Sequence, residues 1–580
     1  MRVIRLRMKF YNLVSSGAAL LAAGCVSVAP EESIVGDYLS ARLAARTNDV
    51  GAAAQAFSAA QSEAPGSRQI LRDAFFFQLA AGNIEQAKPF AERLAALEDA
   101  GDDGLAAMVL AAHAIKNKDY KKSRTALLDA DVASYMTATA NIARAWSMEP
   151  SGGPEAALAS LRENAGSEYK GFYPLHQALF SEKTGELDQA RAAYQLSVMT
   201  VGGPVEVAAY GGFLERAGDE IAAREFYELL GEKPGLARIP ARDGLARLAA
   251  GKAPPSFAAT SPAEGTAIAF YALANGILQQ TVSQRAAAEE AGFRVGDANF
   301  NMPLVFAQLA LYLDPAFDDA RRFAGSILNV YGESEKAIAM LSAIGPSSPY
   351  YEQSRIEIAG ALNALGRSDE AISVLRKAAR REKTSYDARL ALSGLVASRG
   401  QHREAVKILD SLLADFPDES ASSDWRLHLS RAVSLMEIGD WPRAEADLKR
   451  AVELAPEEAT VLNYLGYSWA ERGENLAEAF DLIEKAVSLD PDSGPIIDSL
   501  GWAHYQLGQY GQAVGHLEQA ASLEPGDPTI TDHLGDIYWR LGRHLEARYQ
   551  WLRVLELEPD EDLKEAIEEK LQSGLNGGGE

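Results

Sequence analysis

The chain has 580 residues, enough for several domains or one long array, and carries 81 acidic against 56 basic side chains, a formal charge of −25. That balance argues against non-specific nucleic-acid binding, which needs a positive surface, and suits an exposed soluble surface or a basic partner. The single cysteine, Cys25, leaves no thiol nucleophile elsewhere in the chain.

The N-terminus carries Arg2, Arg5, Arg7 and Lys9, then a mainly apolar run from Phe10 to Ala23. Such a run falls short of the roughly 20 apolar residues of a membrane span and reads as a secretory signal peptide over residues 1–24. Leu20-Leu21-Ala22-Ala23-Gly24-Cys25 resembles the bacterial lipobox, with leucine one place further upstream than in the commonest form. The resemblance implies a diacylglyceryl group on the Cys25 thiol, cleavage before it and acylation of the new amino terminus. Val26 rather than Asp follows, which by the sorting rule for such lipoproteins favours the outer membrane. Residues 25–36 then read as a polar tether.

Repeats begin at once. Leu39, Leu43, Asn48, Ala53, Phe57, Ala60 and Pro65 mark one helix–turn–helix unit, and Gly82, Ala87 and Leu94 mark the next. The pattern weakens through Lys118-Asp119-Tyr120 and a turn at Gly152-Gly153-Pro154. It returns at Gly185, Ala190 and Tyr194, and at Gly218, Ala223 and Tyr227. Alanine is abundant, β-branched residues are sparse, and nothing alternates as a strand does. Gly251 to Pro262 holds three prolines and reads as a hinge between an N-terminal lobe, 37–250, and a second lobe. Over 263–425 the sequence predicts irregular helical repeats: a helix at Glu264–Gly276, a long loop over Gln279–Asn301, then units at Gly332, Gly366 and Gly400. A connection over Asp415–Asp424 follows.

The strongest signal spans 426–559. Small residues at Ala432, Gly466, Gly501 and Gly535 precede Gly439, Gly473, Gly508 and Gly542. Alanines follow at 444, 479, 513 and 547, and each unit closes on Pro456, Pro491, Pro525 or Pro559, spaced 35, 34 and 34. A fixed period of that length marks an all-α solenoid of helix pairs. Residues 560–573 read as a polar capping helix, which an array needs over its last apolar face, and 574–580 as a disordered tail. No catalytic motif appears: the histidines, including His504, His516, His533 and His544, share no phase, and no motif calls for a metal or cofactor.

These units match the tetratricopeptide repeat (TPR), because small, apolar and proline positions agree together in four successive units. The resemblance implies a right-handed stack of helix pairs in two lobes, with a concave groove for proteins or peptides. In that pattern Asn463, Tyr467, Asp498, Trp502, Tyr505, Asp532, Asp536 and Trp539 face the groove. Asn463, Asp498 and Asp532 share one phase and should form an exposed polar ladder, able to accept hydrogen bonds from an extended peptide or meet its basic side chains. The tryptophans either offer contact area there or fill inter-helix packing, as Trp551 does at a second-helix position. The tandem NYLGYSWAERG, DSLGWAHYQLG and DHLGDIYWRLG, together with the lipobox, resembles outer-membrane TPR lipoproteins. Among these the layout is most similar to adaptors of the LbcA and NlpI type, which hold a periplasmic carboxy-terminal processing protease and its peptidoglycan-hydrolase substrates together. That resemblance implies a non-enzymatic, lipid-anchored, periplasm-facing scaffold. A scaffold for outer-membrane assembly or polysaccharide export, and an enzyme with a site in the irregular middle, are the other readings.

Overall fold

A computed structural model describes residues 34–97, 104–128, 132–164, 170–231, 235–290, 299–381, 385–415 and 424–575. The signal peptide, Cys25, most of the tether and residues 576–580 lie outside them. Helices follow one another throughout, with no strand among the described residues. The fold is the all-α TPR solenoid that the repeat period implies. The chain forms two compact units that divide between Val374 and Leu375, inside the helix Ser368–Arg381.

The unit after Leu375 contains the four strong repeats. Their first helices are Trp425–Glu437, Ala459–Arg472, Gly494–Gln506 and Pro528–Arg540. Their second helices are Trp441–Leu454, Leu476–Leu489, Tyr510–Leu523 and His544–Glu556. The close crossing within a pair explains the small residues: a Cβ on Gly501 would lie 2.7 Å from Leu517 Cγ, and Ala513 is fully buried beside it. Gly508 ends its helix with φ 72°, the left-handed conformation that a side chain would strain. Asp527 starts the fourth first helix by accepting from the Thr529 and Ile530 amides at 2.8 and 3.0 Å. Glu561–Ser573 forms the cap, with Ile567 buried against the last pair. Trp551 is fully buried, the core role expected of it.

The other unit corrects the lobe boundary drawn at residues 251–262. Helix pairs run from Ile34–Arg46 to Glu220–Gly231, but Pro262–Glu290 and Asn301–Leu313 then return onto the earlier helices. Pro262–Glu290 packs on Ser134–Asn164: Trp146 is fully buried, and a Cβ on Gly265 would sit 2.0 Å from its indole. Asn301–Leu313 packs on Arg68–Ala80 and Leu105–Lys116, where Tyr312 Oη meets His113 Nδ1 at 2.8 Å and donates to Glu85 at 2.6 Å. A single hydrophobic core therefore runs from Val50 to Ala337. The proline-rich segment breaks the helix as expected yet serves as a strap. Arg216 donates to the Pro255 and Ser256 carbonyls at 3.0 and 3.1 Å, and its guanidinium lies over the Phe257 ring.

Two smaller readings also change. Residues 279–290, expected in a loop, continue the helix from Pro262, as alanine, glutamate and glutamine favour; residues 291–298 lie outside the described set. Of the expected disordered tail, Gly574 and Leu575 are packed: Leu575 is half-buried against the last pair, and a Cβ on Gly574 would meet the Trp539 ring at 2.0 Å.

Candidate peptide-binding wall

The first helices of the last three repeats carry the eight candidate residues, and the cap brings Lys570 against two of them. Side chains four positions apart share a helix face, so Asn463, Tyr467 and Glu471 align on one helix, Asp498 and Trp502 on the next, and Asp532 and Asp536 on the third. The 34-residue period carries the same face to Lys570 of the cap.

The acidic rungs are buried rather than exposed. Asp498, Asp532 and Asp536 retain 5%, 6% and 5% of their surface. The expectation of exposure rested on the cost of burying an unpaired carboxylate. Here neighbouring helices supply the partners. His533 Nδ1 lies 2.9 and 3.1 Å from the Asp498 carboxylate oxygens. Lys570 Nζ donates to Asp532 at 2.6 Å and to Asp536 at 2.7 and 2.8 Å, and the Trp551 indole donates to Asp536 at 3.0 Å. Burial alone would lower the His533 pKa, but the charge and hydrogen bonds of Asp498, with Asp532 and Asp536 nearby, outweigh it and raise it. Burial, then the Asp532 charge, raises the Asp536 carboxyl against the opposing effect of Lys570. Burial, reinforced by Glu471, Asp498 and Asp532, holds the Tyr467 hydroxyl well above its ordinary range.

The aromatic residues form a second layer. Trp502 stacks between Tyr505 and His533, at ring separations of 4.6 and 4.0 Å, and Tyr505 Oη accepts from Arg540 Nε at 3.0 Å. Trp502 therefore does much of its work in inter-helix packing, one of the two readings left open. Trp539, half-buried, lies against His544 and Trp551 instead and stands apart from this stack.

Two groups remain without partners. Asn463 is fully buried, and neither its Oδ1 nor its Nδ2 makes a hydrogen bond; the Trp502 indole N–H is also unsatisfied. The residues that sequence reasoning missed are His533 and Lys570. Lys570 was legible in the period, following Asp536 by 34 residues, whereas His533 was not, because the position one period after Asp498 is Asp532.

Tetratricopeptide-repeat family models match residues 362–424, 429–494 and 499–562. The TPR repeat-containing protein PA4667 of Pseudomonas aeruginosa is 36% identical over 94 residues, a stretch covering 16% of this chain and 16% of that protein. Similar solved structures include a chain of the APC/C hetero-tetramer Cut9–Hcn1, at 15% identity, 94% and 97% coverage of the two chains and a TM-score of 0.39. Another is a TPR protein of Parabacteroides merdae, at 14% identity, 45% and 99% coverage and a TM-score of 0.37. The repeats point to a protein-interaction scaffold, a fold that is typically non-catalytic.

Proposed function

We propose that this chain is an outer-membrane-anchored, periplasm-facing adaptor that brings a carboxy-terminal processing protease to substrates such as peptidoglycan hydrolases. Its C-terminal wall receives an extended segment of one of these partners. The observation that carries the binding role is the pair of unsatisfied groups at Asn463 and Trp502. A buried donor or acceptor without a partner costs about 1–3 kcal/mol, and because these atoms are closed to solvent a bound backbone recovers that cost by opening the wall to reach them. Asp498, Asp532 and Asp536 are engaged by His533 and Lys570 and hold the shape of the wall rather than select the charge of its ligand. The anchor rests on the Leu20–Cys25 resemblance, and the protease partnership on the layout of lipobox and tandem repeats.

The test is degradation of a peptidoglycan hydrolase by the purified protease, with and without the full-length protein. Wild type should accelerate degradation. Asn463→Ala combined with Trp502→Phe, which removes the indole N–H but keeps an aromatic ring, should lower that stimulation about ten-fold or more, the equivalent of one lost buried hydrogen bond. Helix content and melting temperature should stay near wild type. No stimulation by wild type overturns the adaptor reading, and undiminished stimulation by the double variant overturns the assignment of the wall.

A further inference from the structure

The two ends of the repeat series are finished differently. The last pair is covered by the helix Glu561–Ser573, whereas the first described helix, Ile34–Arg46, turns an apolar and basic stripe to solvent. Its inner side packs Tyr38, Ala41 and Ala45 on the helix Val50–Glu63, with the Tyr38 ring edge-on to Phe57. Its outer side carries Leu39 and Leu43, 61% and 64% exposed, alternating with exposed Arg42 and Arg46. The spacing i, i+3, i+4, i+7 sets all four on one face. A solenoid end normally carries a polar cap, so two exposed leucines there call for a cover.

We infer that this face lies on the phospholipid surface, so that the bilayer itself caps the first repeat and fixes how the solenoid leaves the membrane. The inference rests on the lipid-anchor reading of Cys25. Nine residue steps separate Cys25 from Ile34, and an extended chain spans at most about 3.6 Å per residue, so the helix cannot stray more than about 32 Å from the acylated cysteine. Leucines between arginines are the pattern of a helix lying in the interface, with apolar groups among acyl chains and guanidinium groups at lipid phosphates. In a chain of formal charge −25, this basic face is also the part that an anionic surface attracts rather than repels. Two leucines and two arginines bind weakly alone, but the anchor makes the contact intramolecular, and a weak contact is then sufficient.

The single cysteine makes the test direct, because acylation consumes its thiol and leaves an introduced cysteine as the only label site. Acylated full-length protein carrying Leu43→Cys, and separately Arg46→Cys, is labelled with an environment-sensitive fluorophore and reconstituted on phosphatidylethanolamine–phosphatidylglycerol vesicles containing a spin-labelled quencher lipid. Met199→Cys, at an 83% exposed position of the same unit, serves as the comparison. Labels at 43 and 46 should shift to the blue and lose emission to the quencher, while the label at 199 does neither. Arg42→Glu with Arg46→Glu should reduce quenching at 43 without releasing the protein from vesicles. If the protein floats with vesicles and its labels at 43 and 46 stay unquenched, the bilayer is not the cover. If the label at 43 is already shielded in unacylated Cys25→Ser protein without vesicles, the chain covers itself and the inference fails. Protein that never floats with vesicles overturns the anchor reading, and this inference with it.

Discussion

Replacing Lys570 by methionine tests whether the cap is bound to the wall by charge. The ammonium is the cationic partner of both Asp532 and Asp536, whose side chains are 9% and 7% exposed. Removing one partner of a buried ion pair typically costs about 3–5 kcal/mol. The loss has a ceiling, because one carboxyl can escape by taking a proton. Burial and the Asp532 charge already raise the Asp536 carboxyl to about 7 beside the ammonium, so near neutral pH it takes that proton at little further cost. Lys570→Met should therefore destabilise the C-terminal repeats by about 1–3 kcal/mol at pH 7, the range of a lost charge-assisted hydrogen bond, and by less at pH 5. The sign follows from linkage: without the ammonium the carboxyl pKa rises in the folded state, and stability tied to a raised carboxyl is lost as pH rises. Chemical denaturation followed by fluorescence reads the change directly, since Trp551 donates to Asp536 and Trp539 packs beside Trp551. Adding Asp532→Asn and Asp536→Asn to Lys570→Met should recover most of the loss. A Lys570→Met protein within about 0.5 kcal/mol of wild type at pH 7 would refute this account of the cap.

Three further outcomes are expected. Burial pushes the Glu206 carboxyl up to about 7 from 4.5, so its contribution to stability is fully present below about pH 4.5 and lost as pH rises through 7; Glu206→Gln should exceed wild type by about 3 kcal/mol at pH 8 and match it near pH 4.5 in parallel denaturation curves. Asp319, pushed up to about 6 by burial in the same region, leaves a residual slope of the same sign in both proteins. Gly211→Ala should lower the melting temperature at a cost of about 1–3 kcal/mol, because its Cβ would lie 2.2 Å from the Tyr227 ring, which its hydrogen bond to Glu215 holds in place. Gly515→Ala, in a helix with open space around it, should instead raise the melting temperature by the equivalent of about 0.5–1 kcal/mol.

How much of this was legible in the sequence follows from what each helix packs against. In residues 426–559 every pair meets its neighbours in the same way, so Gly501 and Gly535 keep their phase and the period is plain. The period puts Asn463, Asp498 and Asp532 in one phase but does not give their burial, because that depends on partners in the next repeat or the cap. Asp498 is hydrogen-bonded to His533, and Asp536 accepts from a lysine of the cap. A single-residue reading of the cost of buried charge points to solvent; carrying Asp536 forward one period finds Lys570, but carrying Asp498 forward finds Asp532, one place before its partner.

The N-terminal unit was harder to read for a different reason. Its repeats pack around two returning helices, so pairs of residues exchange size while the contact survives. Trp146 fills the space over Gly265, and Tyr227 lies against both Gly211 and Gly244. The Trp146–Gly265 exchange puts the small residue 119 positions away in the chain, whereas Gly211 keeps the 16-residue spacing to Tyr227 that Gly501 has to Leu517. The repeat signal fades there because the packing is long-range, and the proline-rich strap at 251–261 was read as a hinge because its anchor, Arg216, lies in an earlier helix. In the unit before Leu375 the repeats bury their inner helices in one shared core, whereas the C-terminal array keeps smaller clusters shared between neighbouring helix pairs, the arrangement that leaves its first helices in one repeating phase.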